Sequence, residues 1–151
     1  MRFLALPLAL LTACATTANT PMPSSAQQST AREEIAAMMN RSAVAWNRGD
    51  LDSFVTDYVP GDDATYIGGP GQIVRGRAAI RQSYTRYFAP GAPRDSLSFR
   101  NLEVDLLAPG VANVIAFYVL SRGDSTVATG PTSLVMKRID GRWFIAHDHS
   151  S

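Results

Sequence analysis

The second half of this chain limits its fold more than any other feature. From Ser96 onward four runs rich in β-branched and aromatic residues follow one another: Ser96 to Leu107, Val111 to Leu120, Ser125 to Arg138 and Gly141 to Ser151. These residue types sit well on a pleated, half-buried surface. The runs are separated only by Pro109-Gly110, Gly123-Asp124 and Asp140-Gly141. Connections this short join antiparallel neighbours and leave no room for the crossovers that parallel strands need. A four-strand antiparallel meander is therefore expected, and the residues before it must cover one of its faces.

Those preceding residues read as helix with one interruption. Thr30-Ala31-Arg32-Glu33 fits a capping box, in which Thr30 accepts from a free amide at the helix start and Glu33 reaches back to the cap. Ile35, Met38, Met39, Ser42, Ala45 and Trp46 then recur at three-and-four spacing up to Gly49, the pattern of a helix with one apolar stripe and a left-handed C-terminal residue. Asp50 caps a second, short helix with Leu51, Phe54, Val55 and Tyr58 inward, stopped by Pro60-Gly61. Asp63 to Ile67 and Gln72 to Val74 read as short strands around Gly68-Gly69-Pro70-Gly71. That turn leads into a strand and carries no lysine, so it is not a phosphate-cradling loop. After Gly76 a third helix runs through Ile80, Tyr84, Tyr87 and Phe88 and ends before Pro90. Helices gathered before strands make this an α+β chain.

The first residues have a different character. Met1-Arg2 precedes an apolar run from Phe3 to Leu11, too short to span a bilayer and the right size for a signal-peptide core. It ends in Leu11-Thr12-Ala13-Cys14, which resembles the lipobox of bacterial lipoproteins; the alternative is an ordinary secretory signal cut near Ala15. The reading adopted is a signal peptide over 1–13, a lipidated Cys14 opening a Ser/Thr/Gln/Pro-rich tether over 14–29, and one domain over 30–151. The lipobox resemblance implies a membrane-anchored protein of the bacterial cell envelope. Because Ala15 is not the aspartate of an inner-membrane retention signal, the outer membrane facing the periplasm is expected. Cys14 is the only cysteine, which excludes a disulfide framework and a thiolate metal cluster. A net charge of +1 with interspersed signs excludes a nucleic-acid footprint.

Chemistry concentrates in the last run, which holds both histidines. In a regular strand Trp143, Ile145, His147 and His149 share one face, and Phe144, Ala146, Asp148 and Ser150 the other. The two imidazoles are spaced to share a metal ion, but zinc needs a third protein ligand, so neither a metal nor a cofactor is expected. The Gly-x-Ser-x-Gly elbow of a serine hydrolase is absent from the sequence. Trp46 and Trp143 are expected to be major core residues.

The order of elements, the segment Ala45-Trp46-Asn47-Arg48-Gly49-Asp50-Leu51, the Val74-Arg75-Gly76-Arg77-Ala78-Ala79-Ile80 start of the third helix and the closing Trp143…His147-Asp148-His149-Ser150 together resemble the nuclear transport factor 2-like superfamily. Within it the likeness is to SnoaL-like domains of unknown function and to the association domain of calcium/calmodulin-dependent protein kinase. The resemblance implies a cone: a strongly curved antiparallel sheet around three N-terminal helices, with a pocket between them and commonly a homodimer through the outer face. On that cone Trp143, Ile145, His147 and His149 would line the pocket together with Trp46, Tyr66, Tyr84 and Phe117. His147 is then either a general acid/base or a histidine satisfied by structural hydrogen bonds. Three functions fit: an envelope lipoprotein binding a small, largely apolar molecule; a lyase or isomerase of the SnoaL or ketosteroid isomerase type using His147; and a dimeric structural lipoprotein with a filled pocket.

Overall fold

A computed structural model describes residues 22–69 and 71–151; the expected signal peptide, Cys14 and Pro70 lie outside the described residues. Helix α1 (Ser25–Arg48) is followed by α2 (Leu51–Val55), β1 (Thr65–Gly68), β2 (Gln72–Arg75), α3 (Arg77–Phe88), β3 (Ser96–Ala108), β4 (Val111–Arg122), β5 (Ser125–Ile139) and β6 (Arg142–Ser150). The helix begins earlier than the Thr30 capping box predicts. Ser24 and Gln27 form the box instead, because Ser24-x-x-Gln27 offers the same reciprocal bonds one turn and a half upstream. The last five residues of the predicted tether are therefore helical. At the other end Gly49 takes φ 72° and donates back to Ala45 and Trp46, and Asp50 caps α2 through the amide of Ser53.

The six strands form one sheet in the order β2-β1-β6-β5-β4-β3. The meander β3 to β6 is antiparallel as predicted, but β1 lies parallel to β6, so the sheet is mixed. The cause is the path out of α2. Asp57 and Val59 bond to the backbone of Ile145, so this segment runs alongside β6 in the same direction before β1 continues the pairing from Thr65↔His147 to Gly68↔Ser150.

The apolar face of α1 closes the concave side: Ile35, Met38 and Met39 pack with Val104, Leu106, Val114, Leu134, Met136, Trp143 and Ile145, all buried. Leu-, Met- and Ile-sized groups fully removed from water contribute about 1.5–3 kcal/mol each before entropic costs. Trp143 is 4% exposed and its indole N–H donates to Glu34 Oε2 at 2.8 Å.

Strand β3 is an edge, and α1 covers it in a particular way. Asn47 donates from Nδ2 to the carbonyl of Leu97 (3.0 Å) and accepts from its amide (2.6 Å). Gln28 does the same at Leu106, with distances of 3.0 and 2.9 Å. Each primary amide thus stands in for a missing neighbouring strand, satisfying groups that an open edge would leave for another chain. Between them β3 is irregular at Arg100/Glu103, where Asn101 has φ 55°; this bulge is the reason the predicted strand alternates imperfectly.

Candidate ligand cavity

One residue in β6 decides which side chains reach the interior. Leu134 pairs with Asp148 and Val135 with His147, but Met136 pairs with Ile145, so Ala146 is an extra residue without a partner on β5. A bulge of this kind breaks the two-residue alternation. Trp143 and Ile145 therefore point inward as predicted, while beyond Ala146 the phase inverts: Asp148 and Ser150 face the interior and His147 and His149 face out. Asp148 is 5% exposed; His149 is exposed and His147 half-buried.

A cavity of about 260 Å³ opens between the helices and the concave face of the sheet. One wall is aromatic. Trp46 meets Phe54, Tyr84 and Phe88 edge to face at centroid distances of 5.4, 6.1 and 5.1 Å, and Tyr66 tilts against Tyr84 at 5.2 Å. Such pairs contribute about 0.5–1.5 kcal/mol each beyond area burial, which makes the wall stiff. The opposite wall comes from Leu97, Phe99, Tyr118, Leu120 and Leu134 on the sheet.

The floor is polar. Tyr58 donates to Asp148 Oδ2 at 2.6 Å, and Ser150 donates to Oδ1 at 2.7 Å. Thr132 stands 3.4 Å from Oδ1 and 2.8 Å from the Ser150 hydroxyl. The hydroxyls of Tyr58 and Tyr84 are 3.4 Å apart, and because the Tyr58 proton is committed to the carboxylate, Tyr84 is the donor in that pair. A chain of hydroxyls thus runs from the aromatic wall to one buried acid. Burial raises the pKa of Asp148, opposed by its Tyr58, Ser150 and Thr132 donors. Burial, and then the charge of Asp148, push Tyr58 and Tyr84 well above the usual phenol range, so both remain donors at any physiological pH. Burial likewise raises Tyr66.

The family profile of the SnoaL-like domain matches residues 35–151. The chain belongs to the SnoaL-like domain family. A nuclear transport factor 2-like protein of unknown function from Shewanella oneidensis is 30% identical, with 79% of this chain and 97% of that one covered at a TM-score of 0.70. Two more distant structures share the fold: a nuclear transport factor 2-like protein of unknown function from Pseudomonas putida (19% identity, 82% and 87% covered, TM-score 0.69), and a candidate scytalone dehydratase from Novosphingobium aromaticivorans (15% identity, 80% and 83% covered, TM-score 0.69). No curated protein matches the chain.

Within this SnoaL-like domain the predicted pocket residues separate into two groups. Trp46, Tyr66, Tyr84 and Ile145 line the cavity. Trp143 also faces inward, but at the far end of the cone beside Glu34. Phe117, His147 and His149 lie on the convex side. Phe117 is 38% exposed between Arg100 and Pro131, because β4 sends Ala116 and Tyr118 inward around it. His147 Nδ1 meets Thr65 Oγ1 at 2.6 Å across the β1–β6 pair, so its ring is turned toward β1, and it is not among the residues that line this cavity. Among the described residues there is no group of three or more His, Cys, Asp or Glu placed to hold a metal ion.

Sequence reasoning missed Asp148, Ser150, Thr132 and Tyr58 as site residues. The signal was an acid within an otherwise apolar closing strand, hidden because strict alternation assigns Asp148 to the outer face. Gly68 also serves the site: a Cβ there would collide with the ring and hydroxyl of Tyr66, so glycine lets that tyrosine fold along its own strand toward Tyr84.

Proposed function

We propose that this SnoaL-like domain binds a small, largely apolar molecule in its cone. The observation that carries this reading is the cavity itself, apolar and aromatic on its walls with one convergent group of polar atoms at the floor, the usual composition of a small-molecule site. Cavities of about 150 Å³ already take up benzene, so the space here has room for a molecule of one or two rings. The same open space argues against a purely structural domain with a filled pocket. Native mass spectrometry of the full chain, purified gently in mild detergent from its own host, tests the reading. A retained small molecule lost in Tyr84→Trp, which fills the cavity, supports it; a species identical in mass before and after denaturation, together with no response of Trp46 fluorescence to a panel of one- and two-ring compounds, overturns it.

Asp148 favours a second reading, a lyase or isomerase. A buried carboxyl whose pKa burial raises is suited to hold or take a proton, and Tyr58 donates to it with Tyr84 behind. In this reading the proton carrier is Asp148 and not His147.

The setting proposed is the cell envelope. The support is the Leu11-Thr12-Ala13-Cys14 sequence after the apolar core, which resembles a lipobox and would put a membrane anchor ahead of α1. The partner proposed for the convex face is a second copy: Ile115 and Phe117, alternate residues of β4, are 42% and 38% exposed there.

A further inference from the structure

The floor of the cavity contains an acid without a base. Asp148 is buried, and every hydrogen bond it accepts comes from a hydroxyl: Tyr58, Ser150 and Thr132. Among the described residues that line the cavity there is no lysine, arginine or histidine. The charge of His147 acts on Asp148 only from the far side of β6. Elsewhere in this protein the buried acid is treated differently. Asp57, 3% exposed, has the guanidinium of Arg142 at 3.0 Å and that of Arg41 at 3.9 Å, as a buried carboxylate ordinarily requires.

Hydroxyl donors solvate a carboxylate but do not neutralise it. The two close bonds, from Tyr58 at 2.6 Å and Ser150 at 2.7 Å, leave lone-pair directions of the carboxylate unused, since the Thr132 proton is shared with the nearer Ser150 hydroxyl. Above that floor stand the faces and edges of Trp46, Phe54, Tyr66 and Tyr84, and an aromatic ring attracts a cation over its face by about 0.5–2 kcal/mol, more when water is excluded. At the rim the Arg86 guanidinium lies 4.7 Å from the centroid of its neighbour Tyr87.

We infer that the occupant of this cavity is a small organic cation, an amine whose ammonium group pairs with Asp148 while its one- or two-ring body rests against the aromatic wall. The inference rests on the small-molecule reading above and names the chemical class of the ligand. A neutral ligand would leave the carboxylate uncompensated on ionisation, and an anionic one would meet like charge at a floor whose lining holds no basic side chain among the described residues.

Calorimetric titration of the full chain in mild detergent with three probes of one shape tests it: naphthylmethylammonium, naphthylmethanol and naphthoate. The ammonium should bind about tenfold or more tighter than the alcohol, with the carboxylate weakest. In Asp148→Asn the ratio of ammonium to alcohol affinity should fall to about one. Equal or reversed preference in the wild type overturns the cation assignment and leaves the cavity reading standing; survival of the preference in Asp148→Asn also overturns it. Binding of none of the three sinks both. If Asp148→Asn does not fold, the comparison of naphthylmethylammonium with its trimethylammonium analogue in the wild type serves instead: retained preference for both over the alcohol supports recognition of charge, and its loss in both overturns it.

Discussion

Asp148 carries a cost that the fold accepts. Its folded pKa is raised by burial, so the carboxyl binds its proton more tightly in the native chain than in the unfolded one. The stability this contributes is fully present below the unfolded value, near 4, and is lost as pH rises through the raised folded value. Asparagine keeps an acceptor for Tyr58 and cannot ionise. Urea unfolding of wild type and Asp148→Asn at pH 4 and pH 8 should show the wild type losing stability relative to the variant across that interval. Parallel profiles would mean that Asp148 is not desolvated in solution. Asp57 has a raised pKa from the same cause, and it is common to both proteins, so it cancels in the difference. At this scale part of the site was legible through the family resemblance, which implied a pocket lined by Trp46, Tyr66, Tyr84 and Ile145, and these four do face the cavity. The carboxyl was not, because burial of an acid leaves no trace in composition, and its three hydroxyl partners come from the segment after α2, from β5 and from β6 itself.

Among the elements, β6 and β3 show where pattern reading succeeds and where it stops. The strands, their order and the turns between them followed from residue type and from Gly-containing dipeptides. A bulge has no such signature, because one unpaired alanine between Ile145 and His147 looks like any other strand residue. Its effect is nonetheless total, since it exchanges the two faces of everything after it. The parallel β1–β6 pair was equally hidden, as it depends on where α2 ends in space and not on either strand's own sequence. For β3 the test lies at its borrowed partners. Asn47→Ala leaves the amide and carbonyl of Leu97 without their mates in a part-buried place, and such losses cost about 1–3 kcal/mol. Urea unfolding should show a drop in that range, with faster hydrogen exchange at the Leu97 amide; a change in stability with no change in exchange there would mean that the clamp is not what is being broken.

For the whole molecule, the proposed anchor and proposed dimer can be tested together. Intact mass of the full chain from its own host should exceed that of the peptide starting at Cys14 by several acyl chains, and Cys14→Ala should abolish the increment. Sedimentation of Phe117→Lys should show a shift to monomer, because a charge placed in an apolar interface is left without solvent or partner; an unshifted assembly would move the contact off this face. The α+β layering was legible from helices gathered before a meander, and the cone from the family resemblance those elements carry, whereas the depth of the cone is set by something that no local pattern expresses. The two amide clamps lie nineteen residues apart on α1, about 28 Å at helical rise, and their targets lie nine apart on β3, about 30 Å at strand rise. The helix is therefore a gauge for the strand, cut to its length and fastened at both ends. A chain that lengthened its cavity by extending β3 alone would lose one fastening, so helix and strand can only change size together, in steps of a whole helical turn for about two residues of strand.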